Sequence, residues 1–526
     1  MAGNATSPDC REPEVGGAGG ISEEIVARAT AVAGSGWSSA PEPLSIELSR
    51  SGRSGYSFPA LDVPEDGARI PREMLRSKAP AWPEMSENEV VRHFVRLSAK
   101  NHHVDKALYP LGSCTMKYNP KVNEFAARLP GMAGLHPMQH ESTIQGALEL
   151  MWELEHQLAA VSGFKAVSLQ PAAGAQGELT GLMVIRAWHE SRGEGDTRKR
   201  VLLPDSAHGT NPASVTLNGY ITQELKSDEG GSVDLDSLEE ALGDDVACLM
   251  ITNPNTLGLF ESNIDRICEL VHASGGLVYM DGANLNALMG IVSPAGVGVD
   301  VMHFNLHKTF STPHGGGGPG AGPIGVTADL EPFLPVPRIT REESNGDTVE
   351  YHLDWDRSSS IGKVHASFGN FGVLVRAWTY IRSLGSDGLA DASRAAVINA
   401  NYLLSKLTDH YHLPYPGRCM HEFVLSGCWQ KSRYGVATTD IAKRLLDYGF
   451  YAPTVYFPLI VSEAIMIEPT ETETRETLDL YAQALIEIAH QSESDPDLIR
   501  DAPHNTPVRR PDEAQAAKFP DLRWRI

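Results

Sequence analysis

Between residues 200 and 310, short apolar runs alternate with amphipathic segments, and this alternation constrains the fold more than any other feature. Ile264–Ser274 has helical spacing of apolar residues and lies between two such runs, which gives a strand–helix–strand unit. The pattern predicts an α/β fold with a mainly parallel central sheet and helices on both faces. The predicted strands are Val201–Leu203, Val246–Thr252, Gly276–Met280 and Val301–Leu306.

The segments around this region predict further units. Apolar residues recur at helical spacing in Thr143–Gly163, and the pattern changes after about residue 335 to long helical segments with few strands. We therefore expect a large domain followed by a smaller C-terminal α+β domain. The predicted division is a flexible N-terminal extension at 1–44, an N-terminal arm at 45–140, the large domain at 141–335, the small domain at 336–491 and a tail at 492–526.

Local signals in the small domain predict where its elements begin. Thr470 and Glu473 have capping-box spacing ahead of a helix over Thr474–His490, and Asp440 precedes a helix over Ile441–Tyr448. The acidic, polar stretch Arg341–Thr348 is expected to form a loop.

Composition excludes several classes of function. With 44 Lys and Arg against 67 Asp and Glu in 526 residues, the net charge of −23 disfavours binding to nucleic acid or anionic membranes. No apolar run reaches the roughly 18 residues of a membrane span, and Met1–Gly20 lacks a secretory pattern. The six cysteines are scattered without metal-ligand spacing. We expect a cytoplasmic enzyme without a metal site.

Three predicted strand ends carry reactive side chains, namely His208, Asp281 and Lys308. Ligands of such sheets bind beyond the carboxyl ends of the strands, so the three should converge. Burial can keep part of a lysine neutral, and a neutral lysine attacks an aldehyde. A surface lysine in a loop is the alternative for Lys308 taken alone.

Asp281 follows the apolar run that ends at Met280, where an unpaired buried carboxylate would be costly. The pyridine nitrogen of pyridoxal phosphate (PLP) would supply a cationic partner, and the small Ala283 would let the ring lie flat. An aspartate that only caps a loop or helix is the alternative.

Two glycine-containing segments could approach a phosphate. Gln170–Glu178 precedes an apolar helix over Leu179–Trp188, and backbone N–H groups at a helix start bind phosphate, although ordinary turn chemistry explains the segment equally well. The glycine run His314–Pro319 could also approach a phosphate or a neighbouring subunit; a flexible linker is the alternative, weakened by the strand pattern Pro323–Val326 that follows.

His208 could stack on a cofactor ring or donate a proton, although a histidine that only hydrogen-bonds within a loop is the common case.

Several longer sequence motifs contain or adjoin these residues. They are Tyr109–Lys117, Gln170–Glu178, Ser206–Ser214, Asp281–Asn284, Asn305–Phe310, Ser367–Gly372 and Pro453–Pro458. On these motifs the chain resembles the P-protein of the glycine cleavage system, from about Glu47 to about Ile488.

The resemblance implies PLP-dependent fold type I, the fold of aspartate aminotransferase. It implies that Lys308 forms the Schiff base with PLP, that Asp281 contacts the pyridinium and that His208 stacks on the ring. The remaining implied cofactor contacts are Ala173, Gly174, Ala175, Gln176, Ala283 and His307.

The implied reaction is decarboxylation of glycine, followed by transfer of the aminomethyl group to the lipoyl arm of the H-protein. In this family the P-protein is one chain of two similar halves or two separate subunits, and this chain resembles the second half. The resemblance therefore implies subunit 2, paired with subunit 1 as two copies of each. Two alternatives are a PLP aminotransferase or lyase of the same fold and a non-catalytic partner subunit.

Overall fold

The computed structural model describes residues 42–60, 62, 71–78, 80–314, 319–344 and 348–522. Most of the predicted extension, 1–41, lies outside the described residues, as do glycines 315–318 of the predicted glycine run.

A seven-stranded sheet forms the centre of the large unit, with the strand order β1-β7-β6-β5-β4-β2-β3. Strand β7 is antiparallel to both of its neighbours, and the other pairings are parallel. This confirms the predicted mainly parallel sheet. The strands are β1 Ala166–Ser168, β2 Arg200–Pro204, β3 Ile221–Leu225, β4 Val246–Thr252, β5 Leu277–Gly282, β6 Val301–Phe304 and β7 Ile324–Val326.

The two faces of this sheet are buried against different layers. Along β5, Val278 and Met280 belong to one hydrophobic cluster, whereas Leu277 and Tyr279 belong to another. Successive side chains of a strand point to opposite faces, so this division means that both faces are covered. It explains why the strands read as continuous apolar runs.

The helices vary from single turns to a long one with an interruption. In the described residues, the long helix α10 is interrupted at Gly385, which has φ 66°. The helices are α1 Ser45–Leu48, α2 Glu87–Ala99, α3 Lys121–Ala127, α4 Pro130–Ala133, α5 Gln145–Ser162, α6 Gly174–Ser191, α7 Thr210–Leu217, α8 Leu235–Ala241, α9 Ile264–Ala273, α10 Phe371–Leu407, α11 Cys428–Tyr434, α12 Thr438–Asp447, α13 Arg475–Ser494, α14 Pro496–Arg500 and α15 Glu513–Lys518. None of the helices in these ranges is long and apolar enough to cross a membrane.

The C-terminal part contains a three-stranded sheet of order β10-β12-β11, formed by Phe423–Ser426, Ala464–Ile467 and Thr454–Val455. It has its own hydrophobic cluster, which includes Leu403, Ile465 and Tyr481. The predicted domain boundaries stay a prediction, because α10 contributes to both this cluster and that of the large unit.

Three local predictions are wrong. Of the stretch expected as a loop at Arg341–Thr348, residues 341–344 belong to β8, Arg338–Ser344, and Thr348 begins β9, Thr348–Asp354, which pairs antiparallel with β8; residues 345–347 lie outside the described residues. Helix α13 begins after Thr474, whose side chain accepts a hydrogen bond from Thr477 N, so Thr470 and Glu473 do not form the cap. Helix α12 starts before Asp440, whose Oδ2 instead accepts from Ala437 N within the first turn.

Candidate functional site

A cavity of about 230 Å³ contains all three strand-end side chains that the sequence singled out. His208, Asp281 and Lys308 are spread over one hundred residues of the chain, from 208 to 308, and the parallel order of β2, β4, β5 and β6 brings them to one edge. The other lining residues are Ser113, Gly174, Ala175, Glu178, Thr210, Thr252, Pro254, Asn255, Thr256, Ala283, Asn284, Asn305, His307 and Glu422.

Asp281 is a buried carboxylate at the end of β5, 4% exposed. Its Oδ2 accepts a hydrogen bond from Asn211 Nδ2 at 2.9 Å, and its Oδ1 accepts one from Ala283 N at 3.0 Å. Burial by itself would raise the pKa of Asp281, but the nearby His303 and these hydrogen bonds hold the pKa below its usual value. Asp281 is therefore a carboxylate kept ionised inside the protein.

His303 supports Asp281 from β6, and sequence reasoning missed it. Its Nε2 lies 3.3 Å from Asp281 Oδ1, and its Nδ1 lies 2.8 Å from the hydroxyl of Tyr279. The sequence did contain a signal, because a histidine in the middle of a buried apolar strand needs a polar partner.

Lys308 lies four residues beyond the end of β6 at Phe304 and is half-buried. Its Nζ donates a hydrogen bond to the carbonyl oxygen of Ser113 at 2.6 Å, and that is its one hydrogen bond within the described chain. The amino group thus reaches the cavity with room for a further partner.

The start of helix α6 forms another wall. Gly174 and Ala175 line the cavity, and a Cβ at Gly174 would lie only 2.3 Å from Asn305 Oδ1, so that position requires glycine. The N-terminus of a helix presents free N–H groups and a positive dipole to an anion. The helix start thus lies at the cavity, and its role in binding a phosphate stays a prediction.

The two flanking residues of that predicted set do not reach the cavity wall. Ala173 is the N-cap of α6. Gln176 accepts a hydrogen bond from Ala172 N at 2.7 Å and donates one to Val364 O at 3.0 Å, so its side chain holds two loops together. Their assignment as cofactor contacts stays a prediction.

Two histidines lie at the cavity in different environments. His208 is exposed, its Nδ1 lies 2.9 Å from Thr210 Oγ1, and its ring contacts Phe457 edge to face at 5.6 Å. Burial, together with the neighbouring Lys308 and His314, lowers the pKa of His307 to about 3. His307 is therefore neutral near pH 7, whereas His208 remains open to solvent and to any ligand.

Two further lining residues were missed by sequence reasoning. Glu422 comes from the C-terminal unit and accepts a hydrogen bond from Ser113 N at 2.7 Å, while Glu178 accepts from Thr210 Oγ1 and Ser214 Oγ, both at 2.8 Å. Nothing local in the sequence marks Glu422, because it is brought to Lys308 by packing of distant segments.

A larger cleft of about 1000 Å³ adjoins this cavity, and His307 lines both. Its other walls include Thr115, Lys117, Lys121 and His314. The cavity therefore has next to it a cleft with space for a second molecule, longer than one that the cavity itself could hold.

Comparison with known families matches two segments. Residues 392–505 match a model described as "Glycine dehydrogenase, C-terminal domain", and residues 183–317 match one described as "Aminotransferase class-V".

Relatives match nearly the whole chain. A protein of Chlorobaculum tepidum named "Probable glycine dehydrogenase (decarboxylating) subunit 2" is 59% identical over 479 residues, which are 91% of this chain and 98% of the relative. A protein of the same name from Caldanaerobacter subterraneus is 57% identical over 483 residues, again 91% and 98% of the two chains.

Solved structures share the fold. One described as glycine decarboxylase (P-protein) of the glycine cleavage system, in inhibitor-bound form, has a TM-score of 0.67 at 20% identity and covers 80% of this chain and 94% of its own. A NifS-like protein has a TM-score of 0.56 at 16% identity, with coverage of 73% and 99%. These matches confirm the predicted fold class.

Proposed function

Because the chain belongs to the family of glycine dehydrogenase (decarboxylating) subunit 2, we propose that it is the PLP-dependent subunit that decarboxylates glycine and passes the aminomethyl group to the lipoyl arm of the H-protein. One observation carries the proposal. A single cavity contains Lys308, whose amino group has one hydrogen-bond partner, the buried and ionised Asp281, and the helix start at Gly174.

The residues present fit PLP. Asn305 Oδ1 and Thr252 Oγ1 are buried and have no hydrogen-bond partner within the described residues, although both side chains line the cavity. Buried polar groups are rarely left unpaired, which favours a bound molecule with hydrogen-bonding groups. Gly174 lets Asn305 pack against the start of helix α6, since a Cβ there would lie 2.3 Å from Asn305 Oδ1, and it leaves this part of the cavity wall without a side chain.

We assign the roles as follows. Lys308 would hold the aldehyde carbon, the N–H groups of Gly174 and Ala175 would bind the phosphate, and Asp281 would hold a proton on the ring nitrogen. When bound, PLP supplies an electron sink for the electron pair left behind as carbon dioxide departs. Asp281 suits its role because His303 and Asn211 keep its carboxylate ionised.

The chemistry of the walls favours decarboxylation over reactions that retain the carboxylate. The described lining contains no arginine, the side chain best suited to hold a carboxylate by two parallel hydrogen bonds. A glycine carboxylate bound in this cavity would instead lie near the carboxyl groups of Glu178 and Asp281. Such surroundings stabilise the charged ground state poorly, so loss of neutral carbon dioxide is favoured.

His208 is our proposal for the residue that lies against the cofactor ring and donates a proton during transfer to the lipoyl arm. Its exposed ring at the cavity mouth is accessible to both groups. The adjoining cleft would receive the arm, which needs a passage beside the reacting carbon.

For partners, we propose a subunit 1 in two copies with two copies of this chain, and the lipoylated H-protein. The designation "subunit 2" of the relatives supports a separate first subunit. A cytoplasmic location is also proposed, supported by the acidic net charge of −23 and by the lack of disulfide bonds among the described cysteines.

The test combines the purified chain with the subunit 1 homologue, lipoylated H-protein and glycine labelled in its carboxyl carbon. We expect labelled carbon dioxide and a loss of release with the Lys308→Ala variant. Transamination of glycine without release of label would contradict the proposal and favour an aminotransferase. Equal release by Lys308→Ala would instead make this chain a non-catalytic partner.

A further inference from the structure

Two buried glutamates lie side by side next to the cavity. Glu422 directly precedes β10 and Glu468 directly follows β12, and these strands pair antiparallel with Phe423 opposite Ile467. Continuing that register by one residue places the two glutamates opposite each other. They are 3% and 0% exposed, and their carboxylate oxygens lie within 4.8 Å of each other and of a nitrogen of His421.

The pair holds a tight loop at residues 113–115. Glu422 Oε2 accepts from Ser113 N at 2.7 Å; Glu468 accepts from Thr115 N at 3.0 Å and from Thr115 Oγ1 at 2.7 Å. Ser113 and Thr115 have φ values of 63° and 43°, which non-glycine residues adopt at a cost. The loop therefore depends on these external hydrogen bonds to keep its shape.

The same loop sets the position of Lys308. The carbonyl oxygen of Ser113 accepts the hydrogen bond from Lys308 Nζ at 2.6 Å, while its N–H donates to Glu422. Ser113 thus connects Glu422 to the amino group of Lys308 through its own N–H and carbonyl groups. A displacement of the loop would move the hydrogen-bond acceptor of Lys308.

The charge of the pair follows from its surroundings. Burial, and then the charge of Glu468, raise the pKa of Glu422 well above its usual value; burial raises the pKa of Glu468 to about 7. The groups facing the pair are Cys114, Lys308 and His421, and burial lowers the pKa of His421 to about 3. Two buried carboxyl groups this close together cannot both be ionised without a large free-energy cost, and Lys308 is the basic side chain beside them.

We propose that Glu422 and Glu468 together carry one proton and one negative charge and act as positioning residues, which hold the 113–115 loop and through it the amino group of Lys308. The inference rests on the proposed function, because it concerns the lysine that would carry the cofactor. It adds an acidic unit from the C-terminal part of the chain to a site otherwise built by the large sheet.

The first experiment measures how many negative charges Glu422 and Glu468 carry together. The variants Glu422→Gln, Glu468→Gln and the double variant are prepared with the partner subunit and cofactor. The pH titration of the cofactor absorbance then reports the proton on the nitrogen that Lys308 contributes. Glutamine keeps the shape and the acceptor oxygen but carries no charge, so each variant mimics a protonated glutamate.

If the pair shares one proton, either single variant still leaves one carboxylate, and the titration midpoint stays where it is in the wild type. The double variant removes the last negative charge and lowers the midpoint by about one pH unit. Two results would overturn the proposal: a lowered midpoint in each single variant, which means two charges, or an unchanged midpoint in the double variant, which means none.

The second experiment separates positioning from folding. Glu422→Leu removes the acceptor for Ser113 N and should lower kcat by roughly tenfold to a hundredfold, whereas Glu422→Gln should retain most of the activity. Thr115→Val, which removes one donor to Glu468, serves if Glu422→Leu does not fold, with Thr115→Ser as its matched control. Equal activity of Thr115→Val and Thr115→Ser, or equal loss in Glu422→Gln and Glu422→Leu, would overturn the positioning role.

Metal analysis of the purified wild type completes the test. A stoichiometric divalent cation that is lost in Glu468→Gln would replace the shared proton by a metal site with His421 and overturn the proposal. A wild-type protein that shows no cofactor band at all would instead reject the proposed function, and the inference with it. If the cofactor band is present but the titration midpoints of the variants do not indicate a single negative charge on the pair, the inference alone is rejected.

Discussion

Lys117 and Lys308 both have side chains that are at least partly buried, but their amino groups differ in the number of hydrogen-bond partners. Lys117 is 2% exposed and its Nζ has four partners, whereas Lys308 is half-buried and has one, Ser113 O. The partners of Lys117 are Glu471 Oε1 at 2.6 Å, Asn286 Oδ1 at 2.7 Å, Thr309 O at 2.9 Å and the hydroxyl of Tyr380 at 3.3 Å.

The difference is the one expected between a structural lysine and the lysine that we propose to be reactive. Burial by itself would lower the pKa of Lys117, but the carboxylate of Glu471 outweighs it and the pKa is raised. An ammonium with all its donors used cannot attack a carbonyl carbon. Lys308 Nζ has one hydrogen-bond partner and lies at the cavity, so the number of partners, and not burial alone, distinguishes the two amino groups.

The largest effect is expected from Lys308→Ala. Loss of the group that would hold the cofactor should lower activity by at least about 10⁴-fold. The unfolding free energy should change by only about 1 kcal/mol, because a single hydrogen bond is removed. Steady-state kinetics and chemical denaturation measure the two effects. Activity above one hundredth of the wild-type value would contradict the assignment of Lys308, rather than Lys117, as the reactive lysine.

Lys117→Met should have the reverse profile. It leaves Glu471 buried without its cation, which should lower the unfolding free energy by about 3–5 kcal/mol. Denaturant titration measures the change, and the double variant Lys117→Met with Glu471→Leu should recover much of it. A stable single variant that has lost only activity would place Lys117 in the reaction rather than in the core.

Asp281→Asn sharpens the comparison, because it removes the charge opposite Lys308 without changing the shape of the cavity. We expect a decrease in kcat of about 10²- to 10³-fold from the weaker electron sink. Asp300→Asn is the matched control: Asp300 also belongs to this sheet region but pairs with His272 Nε2 at 2.7 Å. Equal losses in the two variants would indicate a general structural effect.

The smallest effect concerns pH. A lysine with a raised folded-state pKa contributes stability that is fully present below its unfolded value of about 10.4 and is lost as pH rises through the folded pKa. The difference in unfolding free energy between wild type and Lys117→Met should therefore be constant from about pH 7 to 10 and shrink above that. A difference that already falls between pH 7 and 9 would contradict the pairing with Glu471.

The sequence predicted the part of the site that depends on local pattern. His208, Asp281 and Lys308 each follow an apolar run, and the parallel sheet turns that common feature into proximity. Helix α6 was also predicted, although it begins at Gly174 rather than at Leu179, because the residues before Leu179 are glycine, alanine, glutamine and glutamate and have no apolar periodicity.

Other parts could not be predicted, because they depend on long-range packing. Glu422 reaches the cavity, and Glu468 lies beside Glu422, only through the pairing of β10 with β12 and the docking of the C-terminal unit. The left-handed backbone at Ser113 has no glycine to signal it. The role of Lys117 likewise follows from Glu471, 354 residues away along the chain.

The central claim is that Lys308, and not the more deeply buried Lys117, carries the cofactor. Borohydride reduction of the protein purified with its cofactor makes the lysine–cofactor linkage permanent, and peptide mass spectrometry then locates it. We predict the cofactor mass on the peptide that contains Lys308 and none on the peptide that contains Lys117. Attachment at Lys117, or no attachment to either lysine, would contradict the account.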